Sequence, residues 1–251
     1  MIIQPIDKIE AIDFVQQYHY SKVMPKLTKH YLGIYNVYVT DLIGVITLGG
    51  TQPLQTIKKL FPDEGFTTKD YLEIGKMCFH PDYNRDRNTG TKTISSLKKL
   101  KNNTDIKMLY TLADGIVGRI GYVYQASNFL YGGFFTDVYM GADGEKIHPR
   151  SARNLCKENA QLNKDKVFLT HDFCEYKNIK RIKGKMFRYM LPLDKKTRKL
   201  FIKNNNMKHP KENDLQKERY DKGRYETTKK MPKFVLDVVN INTKNVNAHR
   251  R

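Results

Sequence analysis

Cysteine is scarce and poorly spaced for chemistry: Cys78, Cys156 and Cys174 form no Cys-x-x-Cys pair and have no histidine ladder beside them. That excludes a zinc finger and a disulfide framework, and it reads as three buried thiols in a reducing compartment. Long apolar runs are missing too, none reaching the length needed to cross a bilayer. The opening segment, 1–14, lacks the basic start and continuous apolar core of a secretory signal. A soluble, intracellular protein without a membrane partner is expected. No Gly-Lys-Ser/Thr sequence follows a glycine-rich loop, so there is no Walker phosphate site. His19, His30, His80 and Asp114 are scattered without metal-ligand spacing, and no metal site is expected. Acidic residues are in short supply: 26 Asp and Glu stand against 45 Lys and Arg, a formal charge of +19.

What is present suffices for a folded body. With 39% hydrophobic and 11% aromatic residues over 251 positions, the chain can bury a core, which excludes a wholly disordered basic protein. The charge attracts polyanions, whether nucleic acid, a membrane surface or a ribosome. It is concentrated late: 175–203 holds eleven Lys and Arg against two acids, and 204–251 twelve against six. Such runs are either a solvated surface or a phosphate-contacting face. The composition shift at Asn204-Asn205-Asn206 divides the chain into a domain over 1–203 and a basic C-terminal extension over 204–251, a helical appendage or a partly disordered arm.

Periodicity predicts a strand over 2–6 and a helix from Asp7 to about His19, with Ile9, Ile12, Val15 and Tyr18 at helical spacing. A hairpin follows from strands at 30–39 and 42–48. Then come a short helix at 54–60, a strand at 71–79, a helix through Ile94, Leu97 and Leu100, a strand at 106–113 and a helix-like stretch at 118–130. Later strands are predicted at 134–140, 167–176 and 186–193. The order argues for an α/β fold, a mixed sheet with helices on its faces.

Two segments carry candidate chemistry. The first joins the strand 71–79 to the next helix through Arg87-Asn88-Thr89-Gly90-Thr91, with Ser95 inside that helix. A loop rich in Arg, Asn, Gly and hydroxyls at a helix entrance suits a phosphate, because unpaired helix N–H groups, the helix dipole and Arg act together. A plain helix cap explains the same residues. Arg87-x-x-Gly90 matches part of the phosphate loop of acyl-CoA-dependent N-acyltransferases, with Lys92 at the final small position. The second segment is Asp114, at the carboxyl end of a strand and followed by Gly115, Gly118 and Gly121. Open α/β sheets expose ligands at such strand ends. Asp114 is either a catalytic acid there or the cap of the next turn, with Tyr122, Tyr124 and Phe129 as core.

His19-Tyr20-Ser21, Asn88-Thr89-Gly90-Thr91, and the run from Ala113-Asp114 through Gly118-x-x-Gly121-x-x-Tyr124-Gln125-Ala126-Ser127-Asn128-Phe129 together resemble the Mom family of bacteriophage DNA modification proteins. The likeness spans about 17–193. It implies a GNAT-like (N-acyltransferase) fold, a mostly antiparallel mixed sheet flanked by helices. It further implies transfer of a carbamoylmethyl or related acyl-derived group to adenine N6 of double-stranded DNA in the cytoplasm of an infected host, which blocks restriction. By the resemblance, His19, Tyr20, Asp114 and Tyr124 are catalytic, and Lys76, Arg87, Asn88, Thr89, Gly90, Thr91 and Ser95 hold acetyl-CoA or a related acyl-CoA donor. Three positions depart from the family: Lys76 replaces an arginine, Thr91 a serine and Arg119 a histidine.

An adenine amine is paired and stacked within the duplex, so it must be extruded, and its delocalised lone pair requires a base. Asp114 is the first candidate base and His19 the second. Lys177, Lys180, Arg181, Lys183, Lys185 and Arg188 are expected to follow DNA phosphates without reading sequence. Two rival readings share these features: an N-acetyltransferase acting on a small amine or a protein, and a nonenzymatic DNA-binding protein on the same fold.

Overall fold

The computed structural model describes residues 1–22, 24–25, 27–36, 41–50, 54–62, 65–84, 88–99, 104–141, 149–162, 169–215, 217–221 and 224–228. In chain order these form β1 (Ile2–Pro5), α1 (Lys8–Tyr18), β2 (Thr28–Tyr35), β3 (Leu42–Gly49), α2 (Leu54–Leu60), β4 (Tyr71–Phe79), α3 (Pro81–Asn84), α4 (Thr89–Leu97) and β5 (Met108–Asp114). They continue with α5 (Tyr122–Ala126), β6 (Leu130–Gly141), α6 (Pro149–Leu162), α7 (His171–Tyr176), β7 (Lys180–Pro192), α8 (Lys195–Asn204), β8 (Lys217–Asp221) and β9 (Arg224–Thr228).

The nine strands of the described residues join one sheet, ordered β1-β2-β3-β4-β5-β7-β8-β9, with β6 on the other edge of β7. The mixed, mostly antiparallel sheet with helices on its faces is the expected class. Among the described residues one strand pair is parallel. β4 and β5 meet only at Tyr71–Met108, Leu72–Leu109 and Glu73–Tyr110. Beyond that register β4 runs on against β3 to Phe79, and β5 runs on against β7 to Asp114, so the two part. A β-bulge accompanies the parting: Thr47 pairs Lys76 while Leu48 pairs Ile74, which leaves Gly75 as the extra residue.

The sheet is covered where its side chains are apolar. Asp7 caps α1 by accepting the Ile9 N–H, and Ala11, Phe14 and Val15 then pack on Val45 and Cys78. Ile94 and Leu97 of α4 join Ile46, Ile74 and Leu109 in the main core. Ile57 and Leu60 of α2 and Phe201 of α8 cover Tyr71, Tyr110 and Met190. Cys78 and Cys174 are buried thiols outside any disulfide, and Cys156 is partly buried.

Several expectations need correction. The helix predicted over 118–130 is a 3-10 turn at Gly115–Val117 followed by the short α5, because Gly118 and Gly121 take φ values of 82° and 83°, and Asn128 63°. Left-handed residues interrupt a right-handed helix. The strand predicted over 167–176 is, from residue 171 onward, helix α7. The Thr170 hydroxyl accepts the Phe173 N–H, and Leu169 and Phe173 stand at helical spacing in one small cluster. Residues 163–168 lie outside the described residues. The helices α6 and α8 were not anticipated. Residues 217–221 and 224–228 form an antiparallel hairpin on the β7 edge, not a helix.

Candidate active site

The parted strands leave a crevice of about 740 Å³. Its walls are the facing edges of β4 (Ile74 to Phe79) and β5 (Thr111 to Asp114), the start of α4, the turn around α5, and Tyr18, His19 and Tyr20 at the end of α1. In an unbroken sheet the backbone N–H and C=O groups of these inner edges would pair with one another. Here they have no ladder partner across the gap and face whatever fills it. Thr111 bridges the point of separation, its hydroxyl donating to the Ile74 carbonyl at 3.1 Å.

Asp114 ends β5 with only 3% of its surface exposed. Its Oδ1 accepts the Ile116 N–H at 3.0 Å, so it caps the following 3-10 turn and lines the crevice at once. Both readings of this residue are therefore realised in one side chain. Tyr20 faces it. Burial pushes the Tyr20 phenol well above the ordinary range, Asp114 and Tyr124 push it further, and Arg119 opposes them. The Tyr124 phenol is also raised by burial, against a hydrogen bond with Thr111. Both phenols are thus held in their protonated, hydrogen-bond-donating form.

Lys76 projects from the bulged part of β4 and is 7% exposed. Its Nζ donates to the Ser21 carbonyl at 2.8 Å, which ties β4 to the turn carrying His19 and Tyr20. The Ser21 N–H in turn donates to His19 Nδ1 at 3.0 Å. Cys78 lines the same wall, but burial pushes its thiol up to about 12, so it is no nucleophile near neutral pH.

At the other end of the crevice Asn88 takes a left-handed φ of 76° to start α4. The first-turn N–H groups of Thr89, Gly90 and Thr91, which an α-helix leaves without internal acceptors, belong to residues lining the crevice. The glycine at 90 answers to packing: a Cβ there would come within 2.5 Å of Val123 Cγ2, so α4 and α5 could not approach. Ser95 is exposed on α4 and is absent from the crevice wall. Arg87 lies outside the described residues.

The crevice therefore gathers His19, Tyr20, Lys76, Asn88, Thr89, Gly90, Thr91, Asp114 and Tyr124 from five separate parts of the chain. Sequence reasoning gave no role to Thr111 and read Tyr122 as a core residue, which its exposure overturns. Thr111 sits in an apolar strand run with nothing to mark it. Tyr122 is 60% exposed at the crevice, its hydroxyl donating to Glu212 at 2.7 Å. That bond belongs to a strap over 205–215. Gln125 Nε2 donates to the Pro210 carbonyl at 3.2 Å, and His209 stacks on Tyr189.

The six basic residues expected to meet DNA do not line the crevice. Lys177 pairs with Glu158 at 2.5 Å, and Lys185 with Asp214 at 3.6 Å. Arg188 donates through Nη1 to the Phe134 carbonyl at 3.1 Å and lies over the Phe135 ring. Lys180 and Arg181 open β7, and Lys183 stands where β8 joins it. A separate open groove of about 590 Å³ along α1 gathers Asp7, Glu10 and Asp13, an acidic lining that repels phosphate.

Comparison with known proteins adds three findings. The profile described as the Mom protein family matches residues 1–211. A protein of Escherichia phage Mu called methylcarbamoylase mom is 28% identical over 199 residues, covering 71% of this chain and 77% of that protein. Among solved structures, a Bacillus subtilis acetyltransferase in complex with CoA aligns with a TM-score of 0.40 at 13% identity, over 76% of this chain and 97% of its own. A GNAT family acetyltransferase from Elizabethkingia anophelis with acetyl-CoA bound aligns at 0.39 and 14%, over 76% and 97%.

Proposed function

The chain belongs to the Mom protein family, and from that footing we propose that it transfers a carbamoylmethyl or related acyl-derived group from an acyl-CoA-type donor to adenine N6 in double-stranded DNA. The observation that carries this reading is the crevice itself: one cleft brings a row of unladdered backbone groups, a helix start and a buried carboxylate together.

The residues present fit such a donor. The open edges of β4 and β5 can pair with the amides of an extended pantetheine-like arm, and the first-turn N–H groups of Thr89 to Thr91 suit its pyrophosphate. Bound there, a thioester would supply an electrophilic acyl carbon and a sulfur able to depart, which balances for an acyl product on N6; a carbamoylmethyl product, joined to N6 through CH2, would require an alkylating carbon and an amide nitrogen from a further co-substrate. Lys76 lines the same crevice, and because its ammonium donates to the Ser21 carbonyl we assign it to the turn carrying His19 and Tyr20 and not to the donor.

Asp114 stands where an amine proton can be taken, and the Tyr20 and Tyr124 hydroxyls stand as donors to charge that develops beside it. A carboxylate so deep cannot reach an amine inside a stacked duplex, so the base must be turned out, which costs a few kcal/mol. Tyr20, 42% exposed although its hydroxyl end is buried toward Asp114, has one ring face against His19; its other face and the Tyr122 ring at the mouth are offered for stacking that offsets part of that cost. A substituent on N6 then projects into the major groove, where restriction enzymes read that amine.

Purified protein offered an acyl-CoA and an adenine-containing duplex should convert deoxyadenosine to a heavier nucleoside and release thiol in equal amount. Thiol release with a small amine or a protein, and unaltered deoxyadenosine, would move the substrate out of DNA. No thiol release alongside retained DNA binding would leave a binding protein.

A further inference from the structure

His19 reaches the crevice through a turn whose backbone decides what the imidazole can do. The Ser21 N–H donates to His19 Nδ1 at 3.0 Å. The Ser21 carbonyl lies 3.0 Å from the same nitrogen and accepts from the Lys76 ammonium at 2.8 Å. A hydrogen on Nδ1 would confront the Ser21 N–H head-on, and the Ser21 carbonyl, though able to accept a second bond, already accepts from the Lys76 ammonium. A bare Nδ1 accepts the Ser21 N–H, and leaves the Ser21 carbonyl to the Lys76 ammonium. A neutral imidazole carries one ring hydrogen, so a bare Nδ1 places it on Nε2.

We infer that Ser21 and Lys76 hold His19 in the Nε2–H form, so that it meets the acceptor base as a hydrogen-bond donor and leaves proton removal to Asp114. Lys76 is then a positioning residue acting through Ser21, and its place on the sheet explains its depth. Positions 74, 76 and 78 of β4 are buried in regular alternation, and Lys76, paired with Thr47 beside the bulge, brings a buried ammonium to the turn after α1. The Lys76 N–H, held by the Thr47 hydroxyl at 2.9 Å, fixes that bulge from below.

The inference deepens the proposed function and rests on it for the identity of the base. An amine next to a ring nitrogen presents a donor beside an acceptor, as adenine does with N6 and N7. A carboxylate that accepts from the amine, together with an imidazole that donates to the ring nitrogen, complements that pair. Guanine shows two acceptors, O6 and N7, on the corresponding edge and would leave Asp114 facing an oxygen.

The test reads the tautomer directly on the full chain. Two-bond proton–nitrogen correlation spectra of protein labelled at histidine nitrogen, with the His19 signals identified by their loss in His19→Gln, should show hydrogen on Nε2 and a bare Nδ1. Lys76→Met should admit a population with hydrogen on Nδ1. A wild-type Nδ1–H overturns the inference, and a tautomer unmoved in Lys76→Met overturns the part given to Lys76. For the donor role, His19→Gln, whose amide N–H extends toward the Nε2 position, should keep modification within about tenfold, while His19→Ala loses about a hundredfold or more. Equal loss in both folded variants contradicts a donor. The spectrum needs no substrate: a wild-type protein with Nε2–H that modifies no deoxyadenosine overturns the proposed function and leaves the tautomer standing.

Discussion

Asp114 shows how one side chain serves structure and chemistry through different atoms. Oδ1 caps the 3-10 turn through the Ile116 N–H, while the carboxylate as a whole lines the crevice beside Tyr20. Asparagine keeps an oxygen for the cap and removes the base; alanine removes both. Asp114→Ala should therefore lower stability by about 1 kcal/mol, the usual worth of a cap, whereas Asp114→Asn should melt close to the parent in a thermal scan. Equal destabilisation would mean that the cap is not what holds the turn. At this scale the sequence was informative where a residue type is rare in its setting: an acid after a strand, a His-Tyr pair after a helix. It was silent on Thr111, Ser21 and the burial of Lys76, because each depends on contacts between segments distant in sequence.

Among the elements, the stretch between β5 and β6 matters most. Hydrophobic spacing there suggested one helix, but two left-handed glycines split it into a turn and α5, which lets Tyr124 and Arg119 both face the crevice. Gly121 has no room for a side chain: a Cβ would lie 2.6 Å from Tyr189 Cε2. Gly121→Ala should cost about 2 kcal/mol or more from the left-handed backbone and the clash together, read as a melting temperature lower by roughly 5 °C, with modification reduced alongside. An unshifted melting curve would contradict the packing described. The strap over 205–215 is the second such element. Because Pro210, Glu212 and His209 engage Gln125, Tyr122 and Tyr189, truncation after residue 204 should destabilise the fold and abolish modification, while truncation after residue 228 should leave the melting temperature within a few degrees. Similar melting for all three chains would show the strap to be dispensable. The boundary at Asn204 followed composition; a packed strap of polar residues has no hydrophobic period to reveal it.

The molecule as a whole carries its charge unevenly and its tyrosines deep. Lys177 and Lys185 have internal acidic partners, so neutralising those two alone should change the salt dependence of DNA binding little, whereas removing Lys195, Lys196, Lys199 and Lys203, all exposed on α8, should flatten it if α8 tracks phosphates. An identical slope after the α8 substitutions would exclude that face. Burial raises the phenols of Tyr20, Tyr71, Tyr110, Tyr124 and Tyr189, and that of Tyr131 to about 12. The folded state then holds protons that the unfolded chain releases near 10, so this stability is complete below about pH 10 and is lost as pH rises toward 12. Melting temperatures should stay level from about pH 7 to 9 and fall from about pH 10, and a flat profile to pH 12 would contradict phenols buried in this way. The sheet class and most of the early strands were legible because alternation and turns are local. The parting of β4 from β5 was not, since three paired residues followed by divergence leave no mark in either strand.

The whole account depends on that parting bringing donor, base and Asp114 into one cleft, and the most direct check is the mass of nucleosides from DNA of cells producing the intact protein beside cells producing Asp114→Asn. A heavier deoxyadenosine in the first, and its reduction by about a hundredfold or more in the second, is the predicted result. The same heavier deoxyadenosine at equal yield from both would contradict it.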